Sequence, residues 1–384
     1  MQTAWYEAYV IATTTPKPLP AASVAVEAAA GRVLAAPIEA VRPVPAFDTA
    51  AMDGYAVSGS GPWTVTGRVL AGAAHTEPLR DGAAVEIATG AVVPDGTSAV
   101  LPYEDSTLDG TIVTGRLGRR PHIRRAGDDV RPGDVLVAAG RAVNATVVAA
   151  AVQAGAERVT AHRAPAVTLL VTGDEVVDSG VPGPGQVRDS FTGLVSAVAG
   201  RAGAEPVVRR HVRDVAALLE SALAAARTDV VVVSGSSSAG AADHLHGVLG
   251  RLGATWHVRG VACRPGHPQA LAELPDGRWV VSLPGNPFAG LVAALTLLEP
   301  LLTALGGRPP AALPEVPVGG TAQLMPGGVR IVPVRRDPDR RIAAWRIAAG
   351  TSSAGLRAAA GADALAVLPE TWADGDPAPI LAVP

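Results

Sequence analysis

A serine- and glycine-rich turn carries the clearest chemical signal in this sequence. Residues 234–240 (Ser-Gly-Ser-Ser-Ser-Ala-Gly) follow the apolar run 230–233 and precede a helix predicted to begin near Asp243. Small residues let backbone N–H groups approach an anion closely, and the N-terminus of the following helix adds a favourable dipole. The serine hydroxyls add further donors. The turn is therefore a candidate phosphate-binding loop, although such turns also simply connect elements.

Charged residues near this turn extend the possible chemistry. Asp243 could cap the helix, which the local sequence alone favours, or hold a divalent cation on a phosphate. Arg264 and His267 lie on a rigid turn, residues 264–268, which could also be merely solvated. Arginine is suited to bidentate phosphate or oxyanion binding, and histidine to a weaker, pH-dependent contact. The second turn is therefore a candidate oxyanion site.

Rare residue types persist in two other segments. The chain contains 3 Phe, 3 Met and 4 Tyr, yet residues 47–55 hold one of each, together with Asp48, Asp53 and Gly54. Gly54 is expected to permit a tight backbone turn. Residues 283–288 contain one of two asparagines and another phenylalanine in a turn that two prolines and a glycine make rigid. Either segment could be a loop pinned by large side chains, or a place where a ligand requires specific residues.

The elements that would position these turns alternate between strand and helix over residues 165–305, which is typical of a parallel sheet. The predicted strands are 167–171, 206–212, 229–233, 255–261 and 278–283, and the predicted helices lie near 190–203, 214–226, 243–252 and 287–304. Three strands run directly into polar or glycine-rich turns, at 172–175, 234–240 and 284–287. Ligands bind at the carboxyl ends of strands in open α/β sheets, so we expect these turns to converge on one site.

The flanking sequence differs in pattern. Residues 23–31 are predicted to form a helix that leads into a short strand. Residues 57–126 show short β-type runs, and 144–154 form an alanine-rich helix. After a proline-rich linker at 308–314, strands at 329–334, 342–347 and 364–368 indicate a small β domain.

Composition excludes several classes of protein. A formal charge of −3 over 384 residues argues against a general nucleic-acid binder. No apolar run reaches the roughly 18 uncharged residues expected of a membrane span, and the first residues lack the basic and apolar regions of a signal peptide. The single cysteine, Cys263, excludes an intramolecular disulfide framework and a cysteine-based zinc site. We therefore expect a soluble cytoplasmic protein without a nucleic-acid or membrane partner.

Taken together and in order, these motifs resemble the molybdopterin molybdenumtransferases, the MoeA family that also includes the E domain of gephyrin. The resemblance covers nearly the whole chain and is carried by residues 47–57, 87–94, 127–130, 172–175, 189–190, 234–235, 243, 265–266 and 283–287. It implies a multidomain α/β plus β fold that forms a homodimer. The implied domains are a discontinuous α/β linker domain (1–44 and 127–164), a mostly β insertion (45–126), a molybdopterin-binding α/β domain with a parallel-type sheet (165–305) and a C-terminal β-barrel-like domain (306–384).

The resemblance also implies a reaction, in which molybdate is inserted into adenylylated molybdopterin and AMP is released with the help of Mg²⁺. The implied catalytic residues are Asp53, Asp129, Asp243, Arg264 and His267, with Asp243 and Asp53 as metal ligands. The implied substrate-binding residues are Thr89, Thr172, Gly173, Asp174, Glu175, Asp189, Ser190, Ser234, Gly235, Ser238, Pro265, Gly266, Pro284, Gly285, Asn286, Pro287, Ser352 and Ser353. The implied protein partners are the molybdopterin adenylyltransferase and recipient molybdoenzymes.

The sequence departs from the family pattern at anion-binding positions. The usual Ser-Gly-Gly-Val-Ser-Val-Gly loop has Ser236 in place of a glycine, which could obstruct a close phosphate contact. The usual Lys-Pro-Gly-Lys-Pro turn has Arg264 and His267, and the second change replaces a fixed charge with a titratable group. An alternative is therefore a diverged, non-catalytic paralogue that binds a pterin or nucleotide, or serves as a scaffold.

Overall fold

The computed structural model describes residues 2–73, 77–235, 244–337, 344–348 and 355–384. The chain folds into two compact units. The larger unit comprises Met1–Ala22, Gly31–Ala35 and Ala161–Pro384, and the smaller unit comprises Ser23–Ala30 and Ala36–Thr160.

The described strands and helices are numbered in chain order. Up to residue 162 the strands are β1 (Thr3–Ala4), β2 (Ala21–Ala25), β3 (Ile38–Glu39), β4 (Thr49–Ala50), β5 (Gly54–Val57), β6 (Trp63–Val69), β7 (Ala83–Ile87), β8 (Ala99–Pro102), β9 (Ser106–Asp109), β10 (Ile112–Gly115), β11 (Ile123–Arg124), β12 (Val135–Val137) and β13 (Arg158–His162). Beyond it they are β14 (Val167–Thr172), β15 (Val176–Val177), β16 (Val187–Arg188), β17 (Val208–Val212), β18 (Val230–Ser234), β19 (Thr255–Arg259), β20 (Val261–Arg264), β21 (Ala270–Glu273), β22 (Trp279–Leu283), β23 (Glu315–Gly319), β24 (Val329–Asp337), β25 (Ala344–Ile347), β26 (Ala364–Pro369) and β27 (Pro377–Ala382). The α-helices are α1 (Trp5–Thr14), α2 (Ala145–Gln153), α3 (Phe191–Arg201), α4 (Ala216–Ala225), α5 (Leu245–Arg251), α6 (Pro287–Ala293), α7 (Glu299–Leu305) and α8 (Arg357–Ala360).

The central sheet of the larger unit has the strand order β17-β14-β18-β22-β21-β19. The first four strands are parallel, and β21 and β19 complete the sheet in antiparallel pairings. Every residue of β14, β18 and β22 is buried, as expected for valine- and leucine-rich strands that are covered on both faces. The predicted parallel α/β sheet is confirmed, and its parallel strands end at a common edge.

A buried helix begins at that edge, directly after the turn that follows β22. α6 and α7 are joined through a π-helical turn, Ala294–Leu298, into one helix from Pro287 to Leu305. Among the described residues, this helix alone has the length and apolarity to cross a membrane, but 89% of its most apolar 18-residue stretch is buried inside the protein, so it is a core helix. Trp5 of α1 donates its indole N–H to Thr296 Oγ1 at 3.0 Å, which satisfies the hydroxyl in the core.

A second sheet in the larger unit has the order β1-β20-β24-β25-β23-β27-β26, and β24 also pairs with β26. That extra pairing closes β24, β25, β23, β27 and β26 into the predicted barrel-like C-terminal sheet. The predicted strand 255–261 is wrong in one respect, because it is two strands that belong to different sheets. Gly260, with φ +86°, separates β19 of the central sheet from β20 of the C-terminal sheet.

The smaller unit is built on a six-stranded sheet of order β8-β5-β7-β6-β10-β9. Its core contains small and β-branched side chains such as Ala56, Val85, Ile87 and Val100. β5 contains the end of the 47–55 segment, in which rare residue types persist. It pairs with β7 on one side and β8 on the other. The predicted mostly β region is thereby confirmed.

The predicted helix at 23–31 is wrong. Residues 21–25 form strand β2, and only Glu27–Ala29 make a single 3₁₀ turn. Val26 N donates to Glu157 O at 3.1 Å, so non-local backbone bonding prevails over the helical preference of the alanines. The helix in this part of the chain is instead α1, which was not predicted.

Candidate functional site

A cavity of about 630 Å³ lies at the carboxyl ends of β14, β18 and β22. Its wall includes residues from all three predicted turns and from the start of α3. The predicted binding residues that line it are Thr172, Glu175, Asp189, Ser190, Ser234, Gly235, Gly285, Asn286 and Pro287. The structure thus brings together side chains that lie more than 100 positions apart in the sequence.

The three turns approach one another closely at glycines. Gly235 has φ +94°, and a Cβ there would lie 2.9 Å from both O and Oγ1 of Thr172. A Cβ on Gly285 would in turn contact Gly235 Cα at 3.5 Å. Thr172 Oγ1 donates to Ser234 O at 2.6 Å, which joins the ends of β14 and β18. This part of the wall is therefore formed by backbone, and it leaves peptide groups close to whatever fills the cavity.

Asp189 lines the cavity, but its carboxylate is engaged in starting α3. Asp189 Oδ1 accepts from Phe191 N at 2.8 Å and from Thr192 N at 3.1 Å. Asp189 Oδ2 accepts from Thr192 Oγ1 and from Arg209 Nε. Burial would raise the pKa of Asp189, but the bonds from Thr192 and Phe191 outweigh burial and lower it. Asp189, which the family resemblance assigns to substrate binding, thus also stabilises the N-terminus of α3.

We expect Asp189→Ala to lower the free energy of unfolding at pH 7 by about 1–3 kcal/mol, because it removes a helix cap and a buried carboxylate. Since folding lowers the pKa of Asp189, its contribution is fully present above the unfolded pKa of about 3.9 and disappears as pH falls through the folded value. Urea unfolding at pH 7 and at acidic pH measures both effects. Asp178→Ala is the matched control, because Asp178 also pairs with Arg209 but is 61% exposed. A loss no larger than that of this control would contradict the capping role.

Acidic side chains collect beside the cavity where β14 and β17 end. Asp174 and Glu175 follow β14, and Asp214 follows β17. Burial raises the pKa of Asp214, and the nearby charges of Glu175 and Asp174 raise it further, while His244 opposes them. Arg213 Nε lies 3.3 Å from Asp174 Oδ1 in an exposed ion pair. This group concentrates negative charge at the cavity edge.

Asp214 was not among the predicted site residues, although the sequence contains a signal for it. Strand 206–212 was predicted, and Asp214 lies two residues beyond its carboxyl end, where ligands bind in such sheets.

Within the described ranges, no three side chains of His, Cys, Asp or Glu are placed to hold a metal ion by themselves. Four predicted site residues lie outside those ranges: Ser238, Asp243, Ser352 and Ser353.

The turn at 264–268 is closed by backbone bonds. Val261 N donates to His267 O at 2.8 Å, and Gly260 N donates to Gln269 O at 3.1 Å. Arg264 and His267 are exposed, whereas Pro265 and Gly266 are buried. A Cβ on Gly266 would lie 3.2 Å from Val292 Cγ1 and 3.4 Å from Ala289 O, so the turn packs on α6. Arg264 and His267 are not among the cavity-lining residues, but they extend from a turn on the helix whose first residue, Pro287, lines it.

Positive charge accumulates at this turn. Arg264 at the end of β20 is the register partner of Arg330 in β24. Burial lowers the pKa of Arg330, and the charge of Arg264 lowers it further. The charge of Arg264 and that of Arg330 repel each other, so this end of β20 is electropositive and suited to an anion.

The smaller unit brings two predicted residues into direct contact. Asp53 Oδ1 accepts from Thr89 N at 2.6 Å and from Thr89 Oγ1 at 2.8 Å. These bonds, the backbone one first, lower the pKa of Asp53. Asp129 is exposed, and its backbone N donates to Val44 O at 3.0 Å. The neighbouring acid of the motif, Asp48, binds Arg125 and Ala126 N, so it ties the segment to the chain around residue 125.

The remaining predicted residues support the cavity wall. Gly173 is buried beneath the Glu175 carboxylate, since a Cβ there would lie 2.7 Å from Glu175 Oε2. Its carbonyl oxygen is 2.8 Å from His211 Nε2 on β17. Pro284 is buried directly after β22, and its O would contact a Cβ on Gly290 at 3.1 Å. These contacts fix the turns on the sheet and on α6.

Two known protein families match separate parts of this chain. Residues 4–155 match the MoeA N-terminal region (domain I and II), and residues 168–304 match a probable molybdopterin binding domain. A molybdopterin molybdenumtransferase from Haemophilus influenzae is 36% identical over 293 residues, which cover 73% of this chain and 72% of that protein. Molybdopterin molybdenumtransferase 1 from Mycobacterium tuberculosis is 34% identical over 333 residues, which cover 78% and 77% of the two chains. Among solved structures, a molybdopterin biosynthesis MoeA protein from Pyrococcus horikosii aligns over 100% of both chains with a TM-score of 0.78 and 25% identity.

Proposed function

Because this chain belongs to the molybdopterin molybdenumtransferase (MoeA) family, an enzyme family of molybdenum cofactor biosynthesis, we propose that it inserts molybdate into adenylylated molybdopterin and releases AMP. The observation that carries the proposal is the cavity of about 630 Å³ at the carboxyl ends of three parallel strands. Its backbone-built wall suits a ligand that combines a flat polar ring system with phosphates.

The pterin and phosphate groups of the substrate would lie against the turns after β18 and β22. Ser234, Gly235 and the 284–287 turn offer backbone groups and a hydroxyl at the cavity wall. Ser190 and the α3 N-terminus, which Asp189 organises, face the same space. Cleavage of a phosphoanhydride depends mainly on alignment and charge neutralisation, and this wall supplies the alignment.

We propose that one or two carboxylates at the acidic edge of the cavity bind a divalent cation together with the substrate phosphates. The carboxylates of Asp174, Glu175 and Asp214 are hard oxygen donors. Burial, followed by the charges of Glu175 and Asp174, raises the pKa of Asp214. Mg²⁺ is usually held by one or two carboxylates together with substrate phosphates, so a complete protein cage is not needed. When bound there, Mg²⁺ would neutralise phosphate charge as the anhydride is cleaved. Asp243 and Asp53 remain the ligands that the family resemblance suggests.

Arg264 and His267 are proposed to bind the molybdate oxyanion. The adjacent Arg330 supports this assignment, because it adds a second guanidinium beside Arg264. We propose that the homodimer uses three residues of the smaller unit to order substrate, metal or water: Asp53, Thr89 and Asp129.

We also propose that the enzyme acts in the cytoplasm, where it receives its substrate from the molybdopterin adenylyltransferase and passes its product to the recipient molybdoenzymes.

Incubation of the purified protein with adenylylated molybdopterin, molybdate and Mg²⁺ tests this proposal. We expect AMP release and the appearance of active cofactor, both dependent on molybdate and both abolished by chelation of Mg²⁺. Chromatography of AMP and reconstitution of a cofactor-free molybdoenzyme measure the two products. Absence of AMP at every molybdate concentration would contradict turnover, and retained binding of the adenylylated pterin would then favour the non-catalytic alternative.

A further inference from the structure

A buried polar pair lies directly beneath the turn that holds Arg264 and His267. Cys263 is 1% exposed and Gln269 is fully buried. Gln269 Nε2 donates to Cys263 Sγ at 3.3 Å, and Cys263 Sγ donates to Pro265 O at 3.3 Å. Burial raises the pKa of the Cys263 thiol to about 12, so the thiol is protonated and serves as a donor. A chain of two hydrogen bonds therefore runs from the Gln269 side-chain amide through Cys263 Sγ to the Pro265 carbonyl of the turn.

Gln269 also fixes the turn by packing. Its amide nitrogen would lie 3.3 Å from a Cβ on Gly266, and Val292 of α6 would lie at 3.2 Å on another side. The backbone N of Gln269 donates to Gly266 O at 3.1 Å, and its O accepts from Gly260 N at 3.1 Å. The same residue thus contacts the turn through both its backbone and its side chain. Movement of its amide would be transmitted directly to residues 264–267.

The side-chain oxygen of Gln269, unlike its amide nitrogen, makes no hydrogen bond to the described residues. This oxygen, Oε1, is buried. A buried, unpaired carbonyl is unfavourable, and a core position that only had to be filled would be better occupied by an apolar side chain. The presence of glutamine here is explained if its amide N–H is needed to hold the turn.

We propose that Gln269 and Cys263 are positioning residues, which orient the 264–268 turn so that Arg264 and His267 can engage the molybdate oxyanion. This inference rests on the proposed function and adds two buried residues to it. Neither residue touches the substrate, and both act through Pro265 and Gly266. Their removal should therefore affect the use of molybdate selectively.

Gln269→Met tests the proposal, because methionine has nearly the same length but cannot donate a hydrogen bond. We expect the KM for molybdate to rise about 5-fold, the value of one lost hydrogen bond, while the KM for adenylylated molybdopterin stays within about 2-fold. Thermal stability should be retained, since the change also removes an unpaired carbonyl. Cys263→Ala should behave similarly, and Cys263→Ser, which keeps a donor and an acceptor, should restore most of the molybdate affinity.

Ser282→Ala is the matched control. Ser282 Oγ is likewise buried without a hydrogen-bond partner among the described residues, but it lies in β22. An equal effect of Gln269→Met and Ser282→Ala on the molybdate KM, or an equal rise in both KM values, would overturn the proposal. The NMR resonance of the His267 imidazole, identified with a His267→Gln variant, gives a readout independent of turnover. It should shift in Gln269→Met and not in Ser282→Ala. If the wild-type enzyme releases no AMP, the proposed function fails, and this resonance alone decides whether the buried pair positions the turn.

Discussion

Gly54→Ala is expected to lower the free energy of unfolding of the smaller unit by about 4 kcal/mol or more, which exceeds the effect of most single substitutions. A Cβ at Gly54 would lie 2.0 Å from Leu101 O and 2.9 Å from Pro102 Cα. These are backbone atoms of β8, and Gly54 is paired with β7 on its other side, so neither neighbour can move without breaking the sheet. The added methyl group must therefore push β8 away and disrupt its register with β5.

Gly67→Ala provides the control for this prediction. Gly67 lies in β6 of the same sheet, and a Cβ there would meet nothing within 4 Å. We expect this substitution to change the free energy of unfolding by less than about 1 kcal/mol, since only the unfolded chain is affected. Scanning calorimetry and circular dichroism compare the two variants. Similar midpoints for both would show that β8 accommodates the methyl group.

Gly54 also illustrates a limit of reasoning from the sequence. The glycine was interpreted as a residue that permits a tight turn, and that interpretation is wrong, because Gly54 is the first residue of strand β5. A glycine indicates that a Cβ is not tolerated, but the reason here is a strand that returns about 47 residues later. Local sequence contains no information on that contact.

The buried parallel strands were predicted far better. Residues 167–172, 230–234 and 279–283 were located to within one residue, because continuous valine- and leucine-rich runs between turn residues leave few alternatives. The antiparallel β21 and the passage of β20 into another sheet were not predicted. Both depend on pairing partners rather than on composition, and a single glycine at 260 separates the two sheets.

The candidate site, like the fold, was predicted only in part from the sequence. Turn residues at strand ends were predicted to converge, since parallel strands share an edge, and seven of them line one cavity. The pairing of Asp53 with Thr89 and the repulsion between Asp214 and Glu175 were not predicted. Each joins residues more than 30 positions apart through geometry that only the folded chain defines.

Asp214→Asn is expected to lower kcat/KM by about 100-fold or more, the loss typical of removing one charged group that stabilises a transition state. The side chain keeps its shape and can still accept a hydrogen bond, so the change removes charge and little else. If Asp214 helps to hold Mg²⁺ on the substrate phosphates, the variant should also need a higher Mg²⁺ concentration for half-maximal rate. Steady-state AMP release over a Mg²⁺ titration measures both quantities.

The same substitution should stabilise the fold. Burial and the charges of Glu175 and Asp174 raise the pKa of Asp214, so its ionised form destabilises the folded state at neutral pH. The gain in Asp214→Asn should therefore be present at pH 7 and disappear below the unfolded pKa of about 3.9, where the carboxyl is protonated in both states. Urea unfolding at the two pH values tests the sign.

Glu220→Gln makes the same change in charge on α4, at a carboxylate that is 37% exposed and lies 2.7 Å from Arg251 Nη2. We expect this control to retain wild-type kcat/KM within about 2-fold, since surface ion pairs contribute little. Equal activity of the two variants would remove Asp214 from the site, and a loss of activity accompanied by unfolding would make its role structural. Lower activity together with higher stability has a different meaning. It identifies a carboxylate whose repulsion the free protein tolerates because a cation and a phosphorylated substrate offset it.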